Sequence, residues 1–92
     1  MSDFITKLTN LIAERKVNPQ PGSYTNQLLA DKAKAAQKVG EEAVEVVVAA
    51  LAQSPERLVA EMADLIYHSL VLLETRDVPW ADVVAELEKR HK

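Results

Sequence analysis

Glu41, Glu42 and Glu45 stand at the head of an otherwise apolar run, Ala43-Val-Glu-Val-Val-Val-Ala-Ala-Leu-Ala52, in which Glu45 is the only charge. A carboxylate in such surroundings needs a partner, because an ion buried alone costs several kcal/mol. The escapes are a raised pKa or a bound cation. Glu61 and Asp64 repeat the pattern at the edge of a stretch that ends Leu65-Ile-Tyr-His-Ser-Leu-Val-Leu-Leu73. Two acidic windows, each beside an apolar stripe, point to a metal site between two helices. Hard oxygen donors select Mg²⁺, Mn²⁺ or Ca²⁺, and Mg²⁺ commonly binds a few carboxylates together with substrate phosphates. The chain has no other phosphate cradle: its two glycines, Gly22 and Gly40, allow neither a P-loop nor a G-x-G-x-x-G turn. It also lacks H-E-x-x-H and a serine elbow.

The elements that position these acids read as helices. The first is expected from about Asp3 to Lys16, with Ser2 as N-cap and Phe4, Ile5, Leu8, Leu11 and Ile12 on one face. Asn18-Pro-Gln-Pro-Gly22 breaks the chain, and Ser23 caps a short helix through Ala30. Asp31 begins a long central helix to about Gln53, interrupted only by Gly40, where a close approach of backbone or ligand and simple tight packing are both open. Ser54-Pro55-Glu56 restarts a helix that reaches about Thr75. After the joint Arg76–Pro79, Trp80 to about His91 forms the last, with Val83, Val84 and Leu87 inward. No segment alternates with the period of a strand. The expected fold is all-α, a bundle of four main helices plus a short one, in a single domain spanning residues 1–92.

With Glu41 as origin, a helix places Glu45 at about 40°, Lys38 at about 60° and Glu42 at about 100°, with valine and alanine filling most of the remaining circle. Glu61, Asp64 and His68 share a face of the following helix at i, i+3, i+7. A short turn at Gln53-Ser54 makes the two helices antiparallel neighbours. Glu45 and Glu61, each eight residues from Gln53, are then expected at one height, with Asp64 level with Glu42 or Glu41. The same acids also fit a solvated face with pairs such as Lys38–Glu42, or ion pairs of Glu61 and Asp64 with Arg57 and His68. His68 alone reads as a packed, hydrogen-bonded core histidine.

Composition narrows the function. The net charge of −3 gives no reason to expect nucleic acid as a partner. There is no cysteine for a disulfide or a thiolate metal site, no signal-peptide pattern at Met-Ser-Asp-Phe-Ile, and no membrane-length apolar run, so a cytoplasmic protein with no membrane association is expected. A chain of 92 residues buries a modest share of its surface, which favours association.

Gln37-Lys-Val-Gly-Glu-Glu-Ala-Val-Glu45, followed by Glu61-Met-Ala-Asp-Leu-Ile-Tyr-His68, resembles the phosphoribosyl-ATP pyrophosphohydrolase family of histidine biosynthesis. Pro21-Gly-Ser-Tyr-Thr25 resembles that family's segment ahead of the central helix. The E-E-x-x-E … E-x-x-D pattern alone marks the wider MazG-like all-α pyrophosphohydrolases; Ser-Tyr-Thr, Lys-Val-Gly and Tyr-His narrow it. The resemblance implies Mg²⁺-dependent cleavage of phosphoribosyl-ATP between its α and β phosphates, by a homodimer. Carried over position by position, Glu41, Glu42, Glu45, Glu61 and Asp64 match the family's metal-binding acids. One of Glu41, Glu42 or Glu45 is then the alternative candidate for general base, with the choice among them open. Lys38, and further out Lys34, suit phosphate oxygens; Ser23 and Tyr24 are candidates for nucleotide contact, Ser23 also being an ordinary helix cap. Two other readings remain: a house-cleaning hydrolase of nucleoside triphosphates, and a helical dimerisation module without catalysis.

Overall fold

Helix boundaries in this chain are set by side-chain oxygens that take up the first free backbone N–H groups. In the computed structural model, which describes residues 3–92, these bound α1 (Phe4–Val17), α2 (Tyr24–Leu29), α3 (Lys32–Ala52) and α4 (Pro55–Thr75), and α5 (Trp80–Arg90) follows. Asp3 accepts from the Ile5 N–H, Ser23 from Asn26, Asp31 from Lys34 and Ser54 from Arg57. Each such cap contributes about 1 kcal/mol. Only α5 starts without one, after Pro79. Ser2, expected as the first cap, lies outside the described residues; Asp3 does that work. The all-α expectation holds, with no strand among the described residues. Among the described residues no helix is long and apolar enough to cross a membrane.

The joint after α4 closes by a Schellman motif. Val78 N–H reaches the Leu73 carbonyl and Asp77 N–H the Glu74 carbonyl, with Asp77 at φ 56. Aspartate tolerates this left-handed conformation better than most residues, and its carboxylate takes a hydrogen bond from Lys16 Nζ at 2.5 Å. The same ammonium donates to the Glu74 carbonyl, so the end of α1 is pinned to the end of α4.

The core gathers at one end of the α3–α4 hairpin. Ile12, Leu28, Ala35, Leu70 and Val71 are buried there, with Ile5, Leu8, Ile66 and Trp80 packed around them. Thus α1 and α2 wrap the half of the hairpin remote from its turn. Among the described residues nothing covers the turn half: Val44, Val47, Val48, Leu51, Val59 and Met62 are exposed, Leu51 at 83%. This corrects the expectation that Glu45 sits in buried apolar surroundings, since only one face of α3 is covered by α4. Two outer helices also depart from expectation. On α1, Phe4 and Leu11 are exposed, and on α5 so are Val84 and Leu87, because neither helix is enclosed on that side. Gly40 faces open space, where an added Cβ would meet nothing within 4 Å, so tight packing within the chain does not account for it.

Candidate active site

The turn at Gln53–Ser54 folds α3 back along α4, and three acids from the two arms converge. One carboxylate oxygen each of Glu42, Glu61 and Asp64 lie within 4.8 Å of one another, the one such group among the described residues. The Glu42 side chain is 13% exposed and that of Glu61 8%, while Asp64 opens to solvent. An octahedral ion at ~2.1 Å sets neighbouring ligand oxygens ~3 Å and opposite ones ~4.2 Å apart. The separations in the trio are of the same order as those across such a sphere. All three donors are hard oxygens, with no nitrogen or sulfur among them, which fits a hard divalent cation.

Glu41 and Glu45 are turned away from this trio by the pitch of the helix. Glu42 is the glutamate that faces α4; Glu45 is rotated about 60° from it and Glu41 about 100°, and both are exposed. Glu45 shares the trio's part of the hairpin but is not within its ligand group, and it has no ion-pair partner among the described residues. Glu41 is engaged elsewhere. Its carboxylate accepts from Gln37 Nε2 at 2.8 Å and from Lys38 Nζ at 3.2 Å. These two donors hold Glu41 below the usual carboxylate pKa, the Gln37 hydrogen bond contributing most.

Two cations bracket the acids. Lys38 Nζ lies 3.5 Å from Glu42 as well as bonding Glu41. Its pKa is raised, chiefly by the hydrogen bond to Glu41, with further support from Tyr24, Glu41 and Glu42, so it stays an ammonium throughout the neutral range. On the other arm Arg57 Nη2 donates to Glu61 at 2.7 Å. The two pairs use the same i,i+4 spacing. The carboxylates nevertheless outnumber the cations.

Beyond Asp64, α2 forms a wall. The His68 Nδ1 is 2.7 Å from the Asp64 carbonyl, which can only accept, so in the neutral ring Nδ1 carries the proton. Nε2 then accepts from the Tyr24 hydroxyl at 2.9 Å. A contact between Thr25 Oγ1 and the Tyr67 hydroxyl fixes α2 a second time. The Tyr24 and Tyr67 rings stack at 6.5 Å, with His68 edge-on to both. His68 is therefore the buried, fully bonded histidine its sequence context suggests. Ser23 Oγ is occupied as the α2 cap and by Arg15 Nη1. Lys34 lies exposed, one turn before Lys38 on α3. Gln37 has no functional weight in the sequence, whereas Arg57 is weighed there as an ion-pair partner of Glu61, the pair observed here.

A groove of about 610 Å³ lies away from the acids, between α1, the end of α4 and α5. Its carboxylates, Asp3, Glu74 and Glu88, form no ligand group.

The family model described as phosphoribosyl-ATP pyrophosphohydrolase matches residues 5–91. A phosphoribosyl-ATP pyrophosphatase of Novosphingobium aromaticivorans is 49% identical over 89 residues, 96% of this chain and 83% of that protein. One from Methanocella arvoryzae is 39% identical along the full length of both chains. A histidine biosynthesis bifunctional protein of Pasteurella multocida is 47% identical over 96% of this chain, which covers 44% of that longer protein. With its acids drawn from two arms of one hairpin and a match running almost end to end, the chain belongs to the phosphoribosyl-ATP pyrophosphohydrolase family.

Proposed function

We propose that this chain hydrolyses phosphoribosyl-ATP between the α and β phosphates, releasing phosphoribosyl-AMP and pyrophosphate in the second step of histidine biosynthesis. It does so as a Mg²⁺-dependent, cytoplasmic homodimer, with the 92 residues acting as one domain. The observation that carries this reading is the Glu42–Glu61–Asp64 group, set in a chain that matches the family over residues 5–91.

Glu42, Glu61 and Asp64 would hold the ion, with Glu41 and Glu45 at the rim of the same site. An ion held there would supply Lewis acidity to the phosphates and to an attacking water. Lys38 holds phosphate oxygens as a point charge, with Lys34 a turn further out. Tyr24 offers a ring face to the nucleotide, while Ser23 is spent on the helix cap. Among the candidate bases, Glu41 is weakened by its two donors. Glu45 keeps both oxygens for a water and is the stronger base candidate.

A second copy of the chain would cover the open half of the hairpin. On α3, Val44, Val47, Val48 and Leu51 are exposed and share the face turned away from α4, an apolar stripe of the kind that marks an association surface. Glu45 lies on the same helix beside it, so the partner would shelter the base.

The test is pyrophosphate release from phosphoribosyl-ATP with and without Mg²⁺, with ATP as the competing substrate. Metal-dependent release from phosphoribosyl-ATP and little from ATP is the expected result. Release from ATP alone would keep the metal chemistry and discard the substrate. Release from neither, by folded protein, would discard both.

A further inference from the structure

The cleft has two chemically different ends. Measured from the Gln53–Ser54 turn, Arg57 lies near the turn, the acid trio in the middle, and Lys38 beyond it. Lys38 and Arg57 are about 12 residues apart in height, or ~18 Å between Cα atoms at 1.5 Å per residue. The far end has the Tyr24 and Tyr67 rings together with Lys38, Lys34 and Lys32. The turn end has no aromatic residue, since α3 contains none and the first on α4 is Tyr67. Its only basic side chain on either arm is Arg57.

The substrate assigned above, on which this inference rests, is likewise two-ended. The triphosphate is anionic at one end, and at the other an adenine carries a phosphoribosyl group with its own phosphate. A base needs an aromatic face, and its attached phosphate needs cations near it. Only the α2 end offers both. The β and γ phosphates must then extend the other way, past the acids toward the turn.

Arg57 is equipped to receive them. Only Nη2 of its guanidinium is used, by Glu61, among the described residues. The side chain is 57% exposed, against 8% for Glu61. The remaining N–H groups form a fork of the kind that binds phosphate through paired hydrogen bonds.

We propose that Arg57 binds the leaving pyrophosphate, and that the substrate lies with its adenine toward Tyr24 and its β and γ phosphates toward the Gln53–Ser54 turn. Calorimetric titrations of Arg57→Gln and the parent with MgCl₂ alone, magnesium pyrophosphate and AMP test this. With Mg²⁺ saturating, the variant should bind pyrophosphate about tenfold more weakly or worse, with AMP affinity unchanged. Arg57→Lys, which keeps the charge and loses the fork, should fall between.

Unchanged pyrophosphate affinity would overturn the proposal, and so would equal losses for pyrophosphate and AMP. Loss of Mg²⁺ binding itself, with normal pyrophosphate affinity once metal saturates, would also overturn it and make Arg57 an orienting partner of Glu61. Melting curves of both variants check folding. If Arg57-dependent pyrophosphate binding is found but phosphoribosyl-ATP is not cleaved, the substrate assignment fails and the role of Arg57 stands.

Discussion

Glu61→Gln separates the cost of the acid trio from its use. In the metal-free protein Glu61 feels two neighbouring carboxylates whose oxygens lie within 4.8 Å. At that distance each repulsion is about 0.9 kcal/mol in a water-like dielectric and about 3.5 kcal/mol at an effective value of 20. The opposing attraction comes from Arg57, whose exposed guanidinium limits it to about 0.2–1 kcal/mol. Repulsion therefore wins even at its lower bound. A neutral glutamine also gains acceptors for its amide in Glu42 and Asp64. The metal-free variant should melt no lower than the parent, and higher by about 4–8 °C for each kcal/mol relieved. On the proposed function Mg²⁺ should reverse the order. At a hundredfold excess over its Kd it adds about 2.7 kcal/mol to a protein that binds it only when folded, or about 10–20 °C. The variant should lose most of that shift. Thermal melts with EDTA and with Mg²⁺, at one protein concentration, read both effects. A variant that melts well below the parent in EDTA, or keeps the full magnesium shift, would refute the reasoning.

Three further outcomes follow from the same geometry. Leu51→Asp should leave the protomer folded but give a light-scattering mass near the 10.2 kDa of one chain, where the parent gives twice that; equal masses would remove the apolar face as the dimer contact. Glu41 has a lowered pKa, so its bonds to Gln37 and Lys38 contribute stability above the ordinary value of 4.5 and lose it as pH falls through the lowered one. Melting of Glu41→Gln should accordingly drop less than that of the parent between neutral pH and values below 4.5, and parallel curves would contradict this. Leu28→Ala, at a fully buried position where α2 meets the core, should cost about 2–5 kcal/mol in denaturant unfolding.

The sequence is most legible where one residue type settles local geometry. Ser54-Pro55 marks the start of α4 to the residue, and Asp31 and Ser23 do the same for α3 and α2. Spacing about the turn also places Asp64 level with Glu42, as observed. It does not reveal which of three neighbouring glutamates faces α4, because a helix whose circle is nearly all valine and alanine gives no single apolar direction. The sequence treats Glu41, Glu42 and Glu45 as one window; packing turns Glu42 inward and leaves the other two outside. Phe4, Leu11, Val84 and Leu87 mislead for a related reason. Apolar periodicity shows that a face avoids water, but not whether the cover comes from the same chain. The sequence pairs Arg57 with Glu61, but does not show that the guanidinium stays exposed while the carboxylate is buried.

The acid trio comes wholly from one helical hairpin joined by a two-residue turn. Its members are near in sequence as well as in space, with at most 22 positions between Glu42 and Asp64. Low contact order of this kind favours rapid closure. The three carboxylates can therefore come together in the folding chain before α1 or α5 has docked. Ion binding could then act on the nascent hairpin, offsetting carboxylate repulsion early, so magnesium should raise the refolding rate as well as slow unfolding.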